Sequence, residues 1–411
     1  VVHTLFKIYW MFRFRFRFFL HQKQGHKNVA LVVNSFDKGG LEQVVLNLYL
    51  GYKKNGWNAY ILSQSRNIGQ MAEKLLDLRD IYIFDEKEDE FIRFCWEKSI
   101  DTLHYHYNTY MLMGARKMGF KVIYTMHNVY TWMSLPEIRA YSYKLTAAHK
   151  IVPVSSFVEQ YYLTRTQAPR NNIHTILNGV DFHELDSKSG ILPVTRQSLG
   201  FKKSDVIVAE IASFHHVKHQ IGLIGVMEAL QKDYPEIKLL LVGNKGDINY
   251  YKEFEHILKS SSAKNSIKII PYFDHKYMGR FLREVVDIFT LPTLQEGCSN
   301  AVLEALYCAK PMILTDVGNA GDIKDVAACI VVPPAYPNIV DLTQEDVLNI
   351  AGCKRNLNTD ALVKAFIDMT ENLDEYNKKA QTVAQNASVY STEHMVEQYI
   401  ELIQKMNRKE R

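Results

Sequence analysis

No apolar run of about 20 residues, the length a helix needs to cross a bilayer, occurs in this chain. In the first 24 residues Arg13, Arg15 and Arg17 break the apolar pattern and no small-residue cleavage site follows. Neither a transmembrane helix nor a signal peptide is therefore expected there. Cysteine is scarce. The five present, Cys95, Cys298, Cys308, Cys329 and Cys353, are odd in number and scattered, with no Cys-x-x-Cys pair and no His/Cys cluster of metal-ligand spacing. They read as reduced thiols of a cytoplasmic protein. No Asp-x-Asp pair offers a metal site, and a net charge of +4 is too small to point to nucleic acid.

What is present fits two globular domains. The 411 residues exceed what one hydrophobic core usually holds, and 47% hydrophobic with 23% charged residues suits two α/β domains of nearly equal size. The stretch Phe12 to Leu20 alternates aromatic and cationic side chains. It suits either contact with an anionic membrane surface or a connector to a further domain in a longer chain, and the start at Val1 favours the connector.

From Asn28 the pattern is regular. Val29 to Val33 is a buried parallel strand, followed by the turn Lys38-Gly39-Gly40-Leu41-Glu42 and a helix. Two adjacent glycines let a ligand approach the backbone at the carboxyl end of a strand, although such a pair is more often only a turn. Strands recur near Ala59, Ile81, Thr102, Lys121 and Ile151, mostly with helices between, which predicts a doubly wound sheet. His127 follows one strand. His104 and His106, at the end of another, read as polar loop residues.

After Asn178-Gly179-Val180-Asp181 a flexible polar region to about residue 199 is expected. A second domain opens with the strand Val206 to Ser213, a loop holding His215, His216, Lys218 and His219, and a helix from Gln220. Lys218 is a candidate phosphate clamp. Further strands end at Gly243 and before Tyr272.

The densest signal is Glu296-Gly297-Cys298-Ser299-Asn300-Ala301-Val302-Leu303-Glu304, two carboxylates with seven residues between them across a loop-to-helix junction. Ser299 or Asn300 would cap the helix, whose free N–H groups and dipole would face a diphosphate. Cys298 reads as a packing residue. Together with Glu304-Ala305-Leu306, Ala309-Lys310-Pro311 and Thr315-Asp316-Val317-Gly318-Asn319, this region resembles the signature of retaining glycosyltransferases of family 4 (glycosyltransferase group 1), over about residues 28 to 405.

The resemblance implies the GT-B fold, two Rossmann-like doubly wound domains facing across a cleft, and sugar transfer from a nucleotide diphosphate donor with retention and without metal or other cofactor. It implies that Glu296 contacts the donor sugar and Glu304 the ribose, that His127 lines the sugar, and that Lys218 takes the diphosphate. Gly39, Gly40, Gly243, Tyr272, Gly297, Ser299, Asn300 and Ala301 complete the donor site. The implied acceptor is a glycan or lipid-linked hydroxyl in surface-polysaccharide synthesis, at the inner face of the membrane. One departure stands out: the family commonly has an arginine five residues before the lysine, and Ser213 occupies that position. A non-catalytic sugar-nucleotide or polysaccharide-binding subunit and a sugar-nucleotide 2-epimerase are the alternative readings.

The expected division is residues 1–24 as the aromatic-basic segment, 25–180 as the acceptor-side domain and 181–390 as the donor-side domain. Residues 391–411 form a helix crossing back to the first domain, with Ser391-Thr392-Glu393-His394 as its capping signal. Residues 338 to 360 read as a local elaboration with little chemistry.

Overall fold

The computed structural model describes residues 27–408, apart from 38, 70, 167–171 and 189. The aromatic-basic segment and Lys38 lie outside the described residues. Twelve strands form two sheets. The first contains β1 (Asn28–Val33), β2 (Asn58–Ser63), β3 (Ile81–Ile83), β4 (Thr102–His106), β5 (Lys121–Met126) and β6 (Lys150–Pro153), in the order β3-β2-β1-β4-β5-β6. The second contains β7 (Val206–Ile211), β8 (Ile237–Val242), β9 (Ile267–Ile270), β10 (Ile288–Leu291), β11 (Met312–Thr315) and β12 (Cys329–Val332), in the order β12-β11-β10-β7-β8-β9.

Every strand pairing is parallel. Parallel strands need crossovers, and the helices that supply them bury both faces of each sheet. All six residues of β1 are buried accordingly. The order reverses beside β1 and beside β7, so each sheet has a switch point where loops diverge at the carboxyl ends of the strands. No helix among the described residues is long and apolar enough to cross a membrane.

The domains are joined twice. Val180 forms a parallel bridge with Ser391: its N–H donates to Tyr390 O at 3.0 Å and its carbonyl accepts from Thr392 N at 3.0 Å. Gly179 has no room for a side chain here, since a Cβ would stand 2.4 Å from Ser391 O. The helix Thr392–Arg408 then lies across the helix Gly40–Lys54. Met395, Val396, Tyr399, Leu402, Ile403 and Met406, spaced as one helical face, are buried in the core of the first domain. Asn47 Nδ2 donates to Thr392 Oγ1 at 3.2 Å and closes the junction.

Two expectations need correction. The stretch after Asp181 is no loose tether. Asp181 caps the short helix Phe182–Leu185, Leu192 is buried, and Arg196 forks onto Asp287 at 2.8 and 2.9 Å while also donating to Asp205 O. Its polar composition hides these anchors because Asp287, the carboxylate that takes Arg196, lies 91 residues further along the chain. Likewise His104 and His106 are strand residues with no exposure at all, side by side on one face of β4. A histidine-rich strand lacks the apolar pattern that marks its neighbours.

Candidate active site between the two domains

Lys218 and Glu296 meet. The lysine ends a one-turn 3-10 helix, His216–Lys218, after β7, and the glutamate lies in the loop after β10. The two loops are stitched together, with Val217 O accepting from Thr293 Oγ1 and from Leu294 N, each at 2.7 Å. On that frame Lys218 Nζ donates to Glu296 Oε2, both side chains being largely buried. The turn after β11 supports the same loop from behind. Gly318, at φ 59°, packs on Glu296, and a Cβ would stand 2.9 Å from the Glu296 Cβ. Val317-Gly318-Asn319 therefore has a direct role: Asn319 Oδ1 accepts from Ser299 N at 3.0 Å.

Ser299 is the N-cap of the helix Asn300–Tyr307, its Oγ accepting from Val302 N. Asn300 and Ala301 form the first turn, and Asn300 Oδ1 is buried with no partner among the described residues. Helix N–H groups and an ammonium thus converge on one end of the cleft, a field suited to a diphosphate. Cys298 is buried, and its carbonyl accepts from Asn178 Nδ2 of the first domain at 3.0 Å.

His127 faces this loop from the other domain. A Cβ on Gly297 would stand 1.8 Å from the His127 carbonyl oxygen, so only glycine allows this approach. Gln295 Nε2 bridges the same gap to Thr131 Oγ1 at 2.6 Å. Behind His127 runs a buried polar chain. His127 Nε2 lies 2.9 Å from His106 Nδ1, His104 Nε2 lies 2.7 Å from Thr125 Oγ1, and that hydroxyl meets Tyr399 OH of the terminal helix at 3.0 Å. Burial pushes His104 and His127 down to about 3 and His106 well below its ordinary value, so all three imidazoles are neutral at pH 7.

Glu304 occupies the first helix turns beyond the cap and is buried. His275, in the loop after β9, bridges it to a second carboxylate: Nε2 is 2.9 Å from Glu304 and Nδ1 is 3.3 Å from Glu184. Burial opposes a charge on His275, but the two carboxylates outweigh it and hold the imidazolium up to about 10. The hydrogen bond from His275 in turn lowers Glu184. Neither His275 nor Glu184 carries a sequence signal beyond being a polar residue after a strand or in a short helix.

The remaining expected site residues sit at carboxyl ends of strands. Gly39 adopts φ 147° just before the helix that begins at Gly40, after β1. Gly243 closes β8 so tightly that a Cβ would stand 1.9 Å from Ala212 O. Tyr272, past β9, is 76% exposed and open to stack on a planar ligand. The Ser213 carbonyl accepts from Gln220 Nε2 at 3.2 Å. Beneath it Glu210 is buried, one oxygen without a partner among the described residues; burial pushes its carboxyl far up, against the opposing pull of Lys218.

A polar cavity of about 680 Å³ opens at the ends of β1, β2 and β3, lined by Asn34, Gln64, Arg66, Asp85 and Glu86 among others. Asp85 and Glu86 both adopt left-handed backbone, φ 48° and 58°. Two consecutive non-glycine residues in that region carry strain of the kind found at binding sites.

Two parallel α/β domains with carboxylates, a lysine and a helix N-terminus between them are the GT-B architecture of nucleotide-dependent transferases. Residues 193–343 match the family described as glycosyl transferases group 1, and residues 38–184 match glycosyltransferase family 4. The chain belongs to these group 1, family-4-type glycosyltransferases, and its activity is glycosyl transfer. Among its relatives is the putative glycosyltransferase EpsF of Bacillus subtilis, 21% identical over 313 residues, which are 71% of this chain and 79% of EpsF. The capsular polysaccharide biosynthesis glycosyltransferase CapH of Staphylococcus aureus is 26% identical over 157 residues, 38% of this chain and 39% of CapH. HepE of Anabaena, solved in complex with UDP, shares the fold with a TM-score of 0.71 at 16% identity, covering 92% of this chain and 100% of HepE.

Proposed function

We propose that the chain moves a sugar from a nucleotide diphosphate donor to a hydroxyl of a glycan or lipid-linked acceptor, with retention of anomeric configuration, in the assembly of a surface polysaccharide. The convergence of Lys218, Glu296 and the N-terminus of the helix Asn300–Tyr307 opposite His127 carries this reading. HepE, solved with UDP and with UDP-glucose, supports the donor class, and CapH, a capsular polysaccharide biosynthesis glycosyltransferase, supports the setting.

In this reading the diphosphate lies between Lys218 and the helix N-terminus, which meet the charge that develops as the bond from the anomeric carbon to the phosphate oxygen breaks. The acceptor oxygen bonds to the same face of that carbon, and its proton passes to the leaving phosphate oxygen. Donor entry releases Lys218 from Glu296, so the lysine turns to phosphate and the carboxylate to sugar hydroxyls. Neutral His127 lines the sugar without repelling the oxocarbenium character of the transition state. A double displacement would need a second carboxylate about 5 Å from its partner. Among the described residues none identifies itself for it, and no metal is called on for the step. The polar cavity beyond β1 to β3 takes the acceptor. The cytoplasm, at the inner face of the membrane, is the compartment in this reading, supported by the free cysteines.

The test is a thermal-shift titration with UDP, GDP, ADP, dTDP and CMP for the parent chain, Lys218→Ala and Glu304→Ala, followed by a donor-sugar screen. A diphosphate at 100 times its dissociation constant adds about 2.7 kcal/mol of stability. Stabilisation by one diphosphate, lost in both variants, is expected. No shift with any nucleotide would overturn the donor reading and leave a binding subunit.

A further inference from the structure

The loop that carries Lys218 also carries two histidines outside the mechanism above. His215 and His216 have ring centroids 4.0 Å apart. Asp247, 31 residues beyond His216, joins them because β7 and β8 are neighbours and their loops are tied: Phe214 N donates to Asn244 O and Asp247 N to Phe214 O, each at 2.8 Å. A nitrogen of each imidazole and an oxygen of Asp247 all lie within 4.8 Å of one another.

We propose that His215, His216 and Asp247 bind a divalent transition metal ion of the zinc class, beside Lys218. The ligand chemistry is that of zinc: two imidazoles and a carboxylate, with a fourth position open. Two atoms bound tetrahedrally at 2.0–2.1 Å stand about 3.3 Å apart. His216 Nδ1 and Asp247 Oδ2 are 3.3 Å apart, which is that edge and is long for a hydrogen bond. The carboxylate is presented rigidly, because its other oxygen, Oδ1, caps the helix Ile248–Ser260 by accepting from Asn249 N at 3.0 Å and Tyr250 N at 3.1 Å. His216 also has the outer support a metal-bound imidazole needs. Its Nε2 lies 3.1 Å from the Gln344 amide, which after turning over accepts the ring N–H. His215 Nδ1 accepts a long contact from Val217 N, 3.4 Å, and giving up that contact frees the nitrogen for the ion.

The site has a use that rests on the donor reading. Ser213 stands where the family resemblance implies an arginine, and a bound dication would place a second positive charge in the loop that carries Lys218. It tightens the diphosphate without entering the transfer step. Residues 338 to 360 then have chemistry after all, since Gln344 reaches His216 and Asn356 reaches His219 at 2.8 Å.

The experiment uses the untagged full chain, stripped with chelator. Zn2+ alone is titrated by calorimetry into the parent, His216→Gln and Asp247→Asn, the asparagine keeping the helix cap; Mg2+ serves as the hard-cation control. One equivalent of Zn2+ bound by the parent, at least tenfold weaker binding in both variants, and none of Mg2+ is the expected result. Equal melting points of the three metal-free proteins establish that the variants fold. No stoichiometric Zn2+ binding, or binding unchanged in both variants, would overturn the site. UDP titrations with and without Zn2+ then test its use, against the same titrations of Asp247→Asn as the correction for zinc bound by free UDP. A tenfold gain in the parent alone is expected. UDP that binds equally with and without Zn2+ overturns the coupling, whereas UDP that never binds overturns the donor reading and leaves the zinc titration to decide the site.

Discussion

Gly297 lies against the main chain of His127, so closely that a Cβ would stand 1.8 Å from the His127 carbonyl oxygen. The signature loop of one domain thus rests on the strand end of the other, and the side chain of Val154, 3.2 Å from the same point, closes the space sideways. Gly297→Ala has to push the domains apart. The expected loss is about 1–3 kcal/mol, the usual cost of overpacking, together with lost stabilisation by UDP. Urea denaturation with and without UDP measures both, and a midpoint equal to the parent's in both conditions would show that the cleft opens freely at this contact.

The three neutral histidines make the first domain acid-sensitive. Their folded-state values lie below the ordinary 6.5, at about 3 for His104 and His127, so the unfolded chain binds more protons than the folded one over that window. Stability is full above pH 6.5 and falls as the pH drops toward 3, by about 1.4 kcal/mol per pH unit for each such group. In His104→Asn the slope between pH 6 and pH 4.5 should be shallower by about one such increment. Denaturation midpoints across that range test it, and parallel slopes would mean that the ring gains a proton without penalty.

His275 has the opposite sign. Its folded value, about 10, lies above the unfolded 6.5. Its contribution is complete below pH 6.5 and disappears as the pH rises to about 10. The stability difference between the parent and His275→Gln is therefore largest at pH 6 and nearly gone at pH 10. A difference that stays constant over that span would show that the imidazolium bridge between Glu184 and Glu304 does not form in solution.

Tyr399 ties the terminal helix to the first sheet. Its ring is buried against His104, with centroids 4.7 Å apart, and its hydroxyl meets Thr125. Tyr399→Phe removes one buried hydrogen bond and should cost about 1 kcal/mol. Tyr399→Ala also leaves a cavity and should cost about 3–5 kcal/mol. Chemical denaturation separates the two, and equal losses would assign the whole effect to the hydroxyl.

The buried strand segments were legible because burial on both faces leaves a short uninterrupted apolar run, as in Val29 to Val33 and Leu239 to Val242. The signature loop was legible because Glu296 and Glu304 keep a fixed spacing along one chain segment, and Ser299 is a capping residue at the position where a cap is needed. β4 was read only in part, since His104 and His106 are polar in sequence and buried in fact. The linker after Asp181 was misread for a related reason: Arg196 looks solvated until Asp287 arrives from another loop.

The sequence by itself determined the alternation of strands and helices, the two-domain division and the residue types at the cleft. These depend on interactions between residues close in the chain, on hydrophobic period, turn chemistry and capping. Tertiary structure alone decided which charges meet: Lys218 with Glu296, His275 with both Glu184 and Glu304, and Asp247 with His215 and His216. Most of those partners follow strands of the second sheet, whose order brings them together, while Glu184 comes from the helix Phe182–Leu185 ahead of that sheet. An ion pair or a ligand set depends on distance in space, which the order of residues along the chain does not record.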